Sequence, residues 1–205
     1  MSARADRLVV PLLLVCSAAY FAAGVRIGLE WSDTGMILYP SWRVAQGDVP
    51  YRDFLQLFGP ALFYVNAAIF WLFGPDLLTV RLVVVGLKVA TMLATYACAR
   101  TVAAWPYALG VTVVAIAVWG APLWIFNAPY ANHYALALCL LGFWLSLRLP
   151  GGALTRAVAA GLCFGLASMF KQTSGLFALA ALALALLWTA PPADASARPR
   201  GRGLD

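Results

Sequence analysis

Residues 31–60, WSDTGMILYPSWRVAQGDVPYRDFLQLFGP, hold most of the side chains in this chain that could do chemistry. Asp33, Asp48 and Asp53 lie there beside Arg43 and Arg52, among Trp31, Tyr39, Trp42, Tyr51, Phe54 and Phe58. With Glu30 just ahead, the stretch gathers four of the eight acidic residues. A carboxylate can take the proton of a hydroxyl group, and a nearby cation can hold a phosphate.

The remaining candidates are scattered. Arg81 and Lys88 are seven apart, so on one helix they stand nearly above each other. Lys88 would lie roughly 13 Å from the outer end of its span, at about 1.5 Å per residue. A charge that deep costs at least ~2.5 kcal/mol on insertion scales. It must therefore face a wet cavity with an anionic guest such as a lipid phosphate, or a buried counter-charge. No acidic residue occurs in the apolar spans. Lys171 and Gln172 follow another apolar run, as a second phosphate contact or a cation snorkelling to the surface. His133, the one histidine, sits near Asn127, Asn132 and Tyr134. It suits a base or ligand, or a hydrogen-bonded histidine at a helix end.

These groups need a scaffold, and the composition supplies one. The chain is 63% hydrophobic and 11% charged, with a mean hydropathy of +0.85. A bilayer core of roughly 30 Å takes about 20 apolar helical residues to cross. Six segments meet or approach that length: Leu8–Ile27, Leu78–Ala99, Pro106–Phe126, Asn132–Leu149, Ala153–Phe170 and Ser174–Ala190. Lone strands would leave their backbone groups unpaired in lipid. The fold class is thus all-α, a polytopic membrane helical bundle of about six transmembrane helices.

Leu8–Ile27 follows Arg4 and Arg7 as a signal peptide would, but its apolar run exceeds the ~7–15 residues of a signal core, so it reads as a retained first helix. Cys16, Cys98, Cys139 and Cys163 lie inside spans without metal-site spacing and read as small packed hydrophobes, with no metal centre. Gly161 and Gly165 have the spacing of a close helix contact. With the N-terminus in the cytoplasm, eight of the fourteen Lys and Arg fall inside: Arg4, Arg7, Arg100, Arg148, Arg156, Arg198, Arg200 and Arg202. This satisfies the positive-inside rule. The net charge of +6 then reports topology and attraction to membrane lipids, and calls for no nucleic acid. Residues 191–205 read as a disordered basic cytoplasmic tail after a membrane module of residues 1–190.

The candidate-rich stretch lands outside, in a first outer loop over 28–77. Within it the pattern predicts a short amphipathic helix over Thr34–Gln46, started by Ser32 or Asp33, kinked at Pro40 and stopped by Gly47. Pro60–Phe73 is apolar and aromatic but too short to cross, and reads as a second surface helix. Asp33 falls close to the membrane surface, as a base or as the cap of the first surface helix. Arg52 and Asp53, beside Tyr51 and Phe54, could contact a sugar or acceptor, or pair with each other to fix the turn after Pro50.

The pattern D-x-G-x(3)-Y-x(2)-W-x(4)-G-x(2)-P-Y-x-D-F-x(4)-G-P, from Asp33 to Pro60, resembles the first outer loop of the GT-C membrane glycosyltransferases. The resemblance is to the branch using lipid-phosphate sugars, which includes protein mannosyltransferases and lipopolysaccharide core sugar transferases. Phe170-Lys171-Gln172-Thr173-Ser174-Gly175 also resembles a Lys-Gln segment of bacterial members. The likeness spans nearly the whole chain and the N-terminal half of a typical member. Thr34 stands where many members carry a second acidic residue. Members also continue with further spans and a soluble C-terminal domain, whereas this sequence ends in PPADASARPRGRGLD.

The resemblance implies inverting transfer of a sugar from polyprenyl phosphate, at the outer face of a bacterial inner (plasma) membrane. Asp33 would be the catalytic base and Asp53 a second catalytic candidate. Tyr51, Arg52, Arg81, Lys88, His133, Lys171 and Gln172 would contact substrate. The partners are a polyprenyl-phosphate sugar donor, a lipid or protein acceptor and membrane lipids. No cofactor is required, and a divalent cation is compatible. The rival expectations are a non-enzymatic lipid-phosphate binder or transporter, and a truncated inactive relative. No inverted repeat or pair of broken helices favours transport.

Overall fold

The computed structural model describes residues 2–27, 31–120 and 128–189. Glu30, Asn127, the last six residues of the expected third span and the basic tail lie outside the described residues. The described chain is all-α, with eight helices and no strand. They are α1 (Ser2–Ala23), α2 (Trp31–Ala45), α3 (Pro60–Phe73), α4 (Leu77–Val102), α5 (Trp105–Gly120), α6 (Ala131–Arg148), α7 (Ala153–Phe170) and α8 (Gln172–Thr189).

Three helical stretches are long and apolar enough to cross a bilayer: Ala5–Ala23, Leu77–Val102 and Ala153–Phe170. Pro60–Phe73, Trp105–Gly120 and Gln172–Ala185 are apolar but shorter. In α6, Asn132 and His133 at the start and Arg148 at the end dilute an apolar middle.

Local signals set the boundaries. Proline at N1 after Gly59 opens α3, where a missing amide proton costs nothing. Gly74, at φ 86°, closes it by donating to the Phe70 carbonyl at 2.9 Å. Asp76 caps α4 by accepting from the Thr79 amide at 2.9 Å. Several boundaries differ from expectation: α1 stops at Ala23 and not Ile27, and α4 runs on to Val102. α1 also starts before its apolar run, and the half-exposed Asp6 in its second turn is held by α4: Arg100 donates to both its oxygens at 3.0 and 3.1 Å, and the Tyr96 hydroxyl donates at 2.6 Å. α2 begins at Trp31, so Asp33 lies within its first turn and not ahead of it.

The packing forms three parts. α1, α4 and α5 share Val9, Leu13, Phe21, Val85, Met92, Tyr96 and Ala108 as buried residues. α6, α7 and α8 pack tightly through Ala135, Cys139, Ala160, Phe164, Ala167 and Ala178, with α6 also against α4. The small residues let these helices approach closely. α2 and α3 pack on each other through Val44, Phe63 and Ala67, and α3 rests on α7 and α4. The buried Asn66 of α3 accepts from the Tyr134 hydroxyl of α6 at 3.2 Å.

The G-x-x-x-G spacing of α7 does not make the expected contact. A methyl group added at Gly161 or Gly165 would meet nothing within 4 Å. Spacing identifies a smooth face, but not whether a neighbour covers it. Cys139 and Cys163 are buried, whereas Cys16 is exposed on α1.

Candidate functional site

A cavity of about 380 Å³ opens where α2, the α6 start and the α7–α8 junction meet. Asp33, Tyr130, Asn132, Lys171, Gln172 and Thr173 supply its polar lining, and Leu57, Phe58 and Phe170 part of its apolar wall. Asp33 is held from across the chain: the Tyr130 hydroxyl donates to its Oδ2 at 3.0 Å. Lys171 reaches from the other side, donating from Nζ to Asn132 Oδ1 at 2.7 Å.

Lys171 is the sole residue between α7 and α8, a junction tight enough to demand glycine nearby. A Cβ at Gly175 would stand 2.4 Å from the Phe164 carbonyl oxygen. The turn presents Gln172 and Thr173, the first residues of α8, to the cavity. The positive end of that helix dipole therefore borders the space that Lys171 charges. A carboxylate on one wall and a cation with a helix N-terminus on another can hold an anionic group beside a base.

The segment between α2 and α3 closes onto the same junction. Gly59 donates its amide to the Phe170 carbonyl at 3.3 Å, and a Cβ there would fall 2.0 Å from the Met169 carbonyl oxygen. Only glycine allows that approach, which gives the Gly-Pro ending of the loop pattern a physical reason.

A second, mostly apolar groove of about 480 Å³ runs between α6 and α8. Leu136, Cys139, Phe143, Phe177 and Ala181 are among its walls, and Asn132 and Lys171 belong to both spaces.

Other residues singled out by the sequence lie elsewhere. Arg52 donates to both carboxylate oxygens of Asp53 at 2.9 and 2.8 Å, and Asp53 also accepts from the Val49 amide at 2.7 Å. The Arg52 bond, then the Val49 amide, pulls the Asp53 carboxyl down to about 2. Asp53 is thus engaged in fixing the turn after Pro50. Tyr51 takes a positive φ of 67° there, and its hydroxyl donates to the Phe58 carbonyl. Arg43 and Asp48 pair at 2.5 Å.

Arg81 and Lys88 are buried on the α1 side of α4. Arg81 donates to the Val25 carbonyl at 3.1 Å, and Lys88 Nζ lies 5.3 Å from the centre of the Phe21 ring. Neither lines the Asp33 cavity. His133 is 3% exposed and accepts at Nδ1 from the Trp119 indole N–H at 3.0 Å. It backs the site without lining it.

Tyr130, Asn132 and Thr173 are polar members of the site that the sequence reading did not assign to it, and Tyr130 is the one that touches Asp33. It occupies the N-cap position of α6 and makes no side-chain cap there. An aromatic residue where Ser, Thr, Asp or Asn is preferred is the available signal. Among the described residues no three His, Cys, Asp or Glu side chains gather to hold a metal ion. Compared with known protein families, curated proteins and solved structures, the chain finds no match.

Proposed function

We propose that this chain is a membrane glycosyltransferase of the GT-C kind, moving a sugar from polyprenyl phosphate to an acceptor hydroxyl at the outer membrane face. The observation that carries this reading is the shared cavity of Asp33 and Lys171, which come from distant parts of the sequence. The groove that shares Lys171 and Asn132 adds support, because a lipid phosphate needs a cation at the mouth of an apolar slot. In the matching topology α1 and α4 to α8 cross the bilayer, α2 and α3 lie on the outer surface, and the N-terminus is cytoplasmic. The inner-side excess of arginine supports that orientation.

The chemistry is one displacement. The acceptor oxygen attacks the anomeric carbon as its proton passes to Asp33, and the bond from that carbon to the phosphate oxygen breaks. The leaving phosphate keeps the electron pair and needs no proton. Lys171 and the α8 N-terminus offset its charge. A single displacement inverts the anomeric centre. Asp53, Arg52 and Tyr51 serve the loop, and Arg81 and Lys88 anchor α1 to α4.

The test is transfer of labelled sugar by the purified protein in lipid vesicles, with hexose, aminosugar and pentose polyprenyl phosphates as donors. Transfer with inverted configuration is expected from at least one donor. No transfer from any of them would overturn the reading.

A further inference from the structure

The bond between Tyr130 and Asp33 assigns a role to a residue outside the catalytic chemistry itself. We propose that Tyr130 is the positioning residue for the base, an inference that rests on the transferase reading above. Its hydroxyl donates to Asp33 Oδ2 at 3.0 Å, and both side chains line the cavity. A carboxylate with one oxygen held in this way turns less freely. The other oxygen, Oδ1, is then the one that meets the acceptor hydroxyl.

Tyr130 is itself well held. Its amide donates to the Ala128 carbonyl at 2.8 Å, and its carbonyl accepts from the His133 amide at 3.0 Å. Its ring packs 6.1 Å from the His133 ring, tilted by 56°. His133 is locked in turn: the Trp119 indole donates to Nδ1, so the neutral ring carries its proton on Nε2. A row of Trp119, His133 and Tyr130 thus runs from α5 through α6 to the base on α2. This gives His133 a task behind the site in place of substrate contact.

The proton balance is simple. The acceptor O–H proton moves to Asp33 Oδ1, and Tyr130 keeps its own proton, which stays in the bond to Oδ2. Tyr130 supplies geometry and no proton. Small displacements of a reacting group can cost about 100-fold in rate.

Tyr130→Phe keeps the ring on His133 and deletes the hydroxyl. We expect kcat to fall about 10- to 100-fold, with donor KM and polyprenyl phosphate binding within about twofold and thermal unfolding near wild type. The decisive arm repeats the change on Asp33→Asn, followed by residual transfer over long incubation. There Tyr130→Phe should cost nothing further, because groups acting as a unit are not additive. An equal fold-loss in both backgrounds, or no loss in the wild-type background, overturns the assignment. Failure of the wild type to transfer any sugar removes the transferase reading, and this inference falls with it. The wild-type arm keeps the two failures apart.

Discussion

The amide of Gly59 donates to the carbonyl of Phe170 at 3.3 Å, which joins the segment between α2 and α3 to the residue preceding Lys171. A single backbone contact therefore couples the two segments that carry the site.

The first prediction follows from that seam. A methyl group at position 59 would overlap the Met169 carbonyl oxygen at 2.0 Å, so Gly59→Ala must push the loop away. Such overpacking costs about 1–3 kcal/mol and should also weaken binding of polyprenyl phosphate. Gly35, on α2, has nothing within 4 Å, so Gly35→Ala should be neutral or stabilising by about 0.5–1 kcal/mol. Thermal unfolding in detergent compares the two. Equal stability of the two variants would contradict the seam.

The two lysines should separate cleanly. Lys171 is exposed at the cavity mouth, so Lys171→Met should leave unfolding unchanged while weakening polyprenyl phosphate binding about tenfold or more. Lys88 is 1% exposed, with its ammonium by the Phe21 ring, so Lys88→Met should leave binding within about twofold. Tritiated polyprenyl phosphate in a filter assay measures both. The reverse pattern would move the phosphate site to α4.

The turn that holds Asp53 should respond to acid. Its carboxyl is lowered from 3.8 to about 2, chiefly by the Arg52 hydrogen bond and then by the Val49 amide. A depressed carboxyl contributes stability that is fully present above about pH 4 and fades as pH falls toward about 2. Protection of the Val49 amide against hydrogen exchange, relative to its intrinsic rate, should drop across that window. Asp53→Asn should start low and stay flat. Protection independent of pH in the wild type would show that other contacts hold the turn.

Much of this arrangement was legible because local rules wrote it. Pro60 after Gly59 and the glycine at 74 bound α3 at the residues expected. Asp33 and Lys171 stood out by type, a carboxylate that can take a proton and a cation that can hold a phosphate. What joins them was not legible. The bond from Tyr130 to Asp33 spans 97 positions, and periodicity carries no information at that range. Lys88 was readable as a deep cation, but its packing on Phe21 depends on how α1 leans against α4. The α7 glycines misled for a related reason: a smooth face advertises a contact that only a neighbouring helix can make.

Topology has its own test. Leu55 is 86% exposed between α2 and α3 and lies outside the cavity wall. In a chain with its native cysteines replaced by alanine, Leu55→Cys should react with a membrane-impermeant maleimide on intact spheroplasts. Labelling that requires opening the membrane would place the cavity on the cytoplasmic side.

The most direct measurement is the rate of sugar transfer by Asp33→Asn. Asparagine has nearly the shape of aspartate and still accepts a hydrogen bond from Tyr130, but it cannot take a proton at neutral pH. Expression, thermal unfolding and polyprenyl phosphate binding should stay near wild type, while transfer falls by about 10²–10⁴. Asp76→Asn is the control, because asparagine caps a helix about as well as aspartate and Asp76 lies outside the cavity wall. Near-normal transfer is expected from Asp76→Asn and almost none from Asp33→Asn. An active wild type matched by an equally active Asp33→Asn would contradict it.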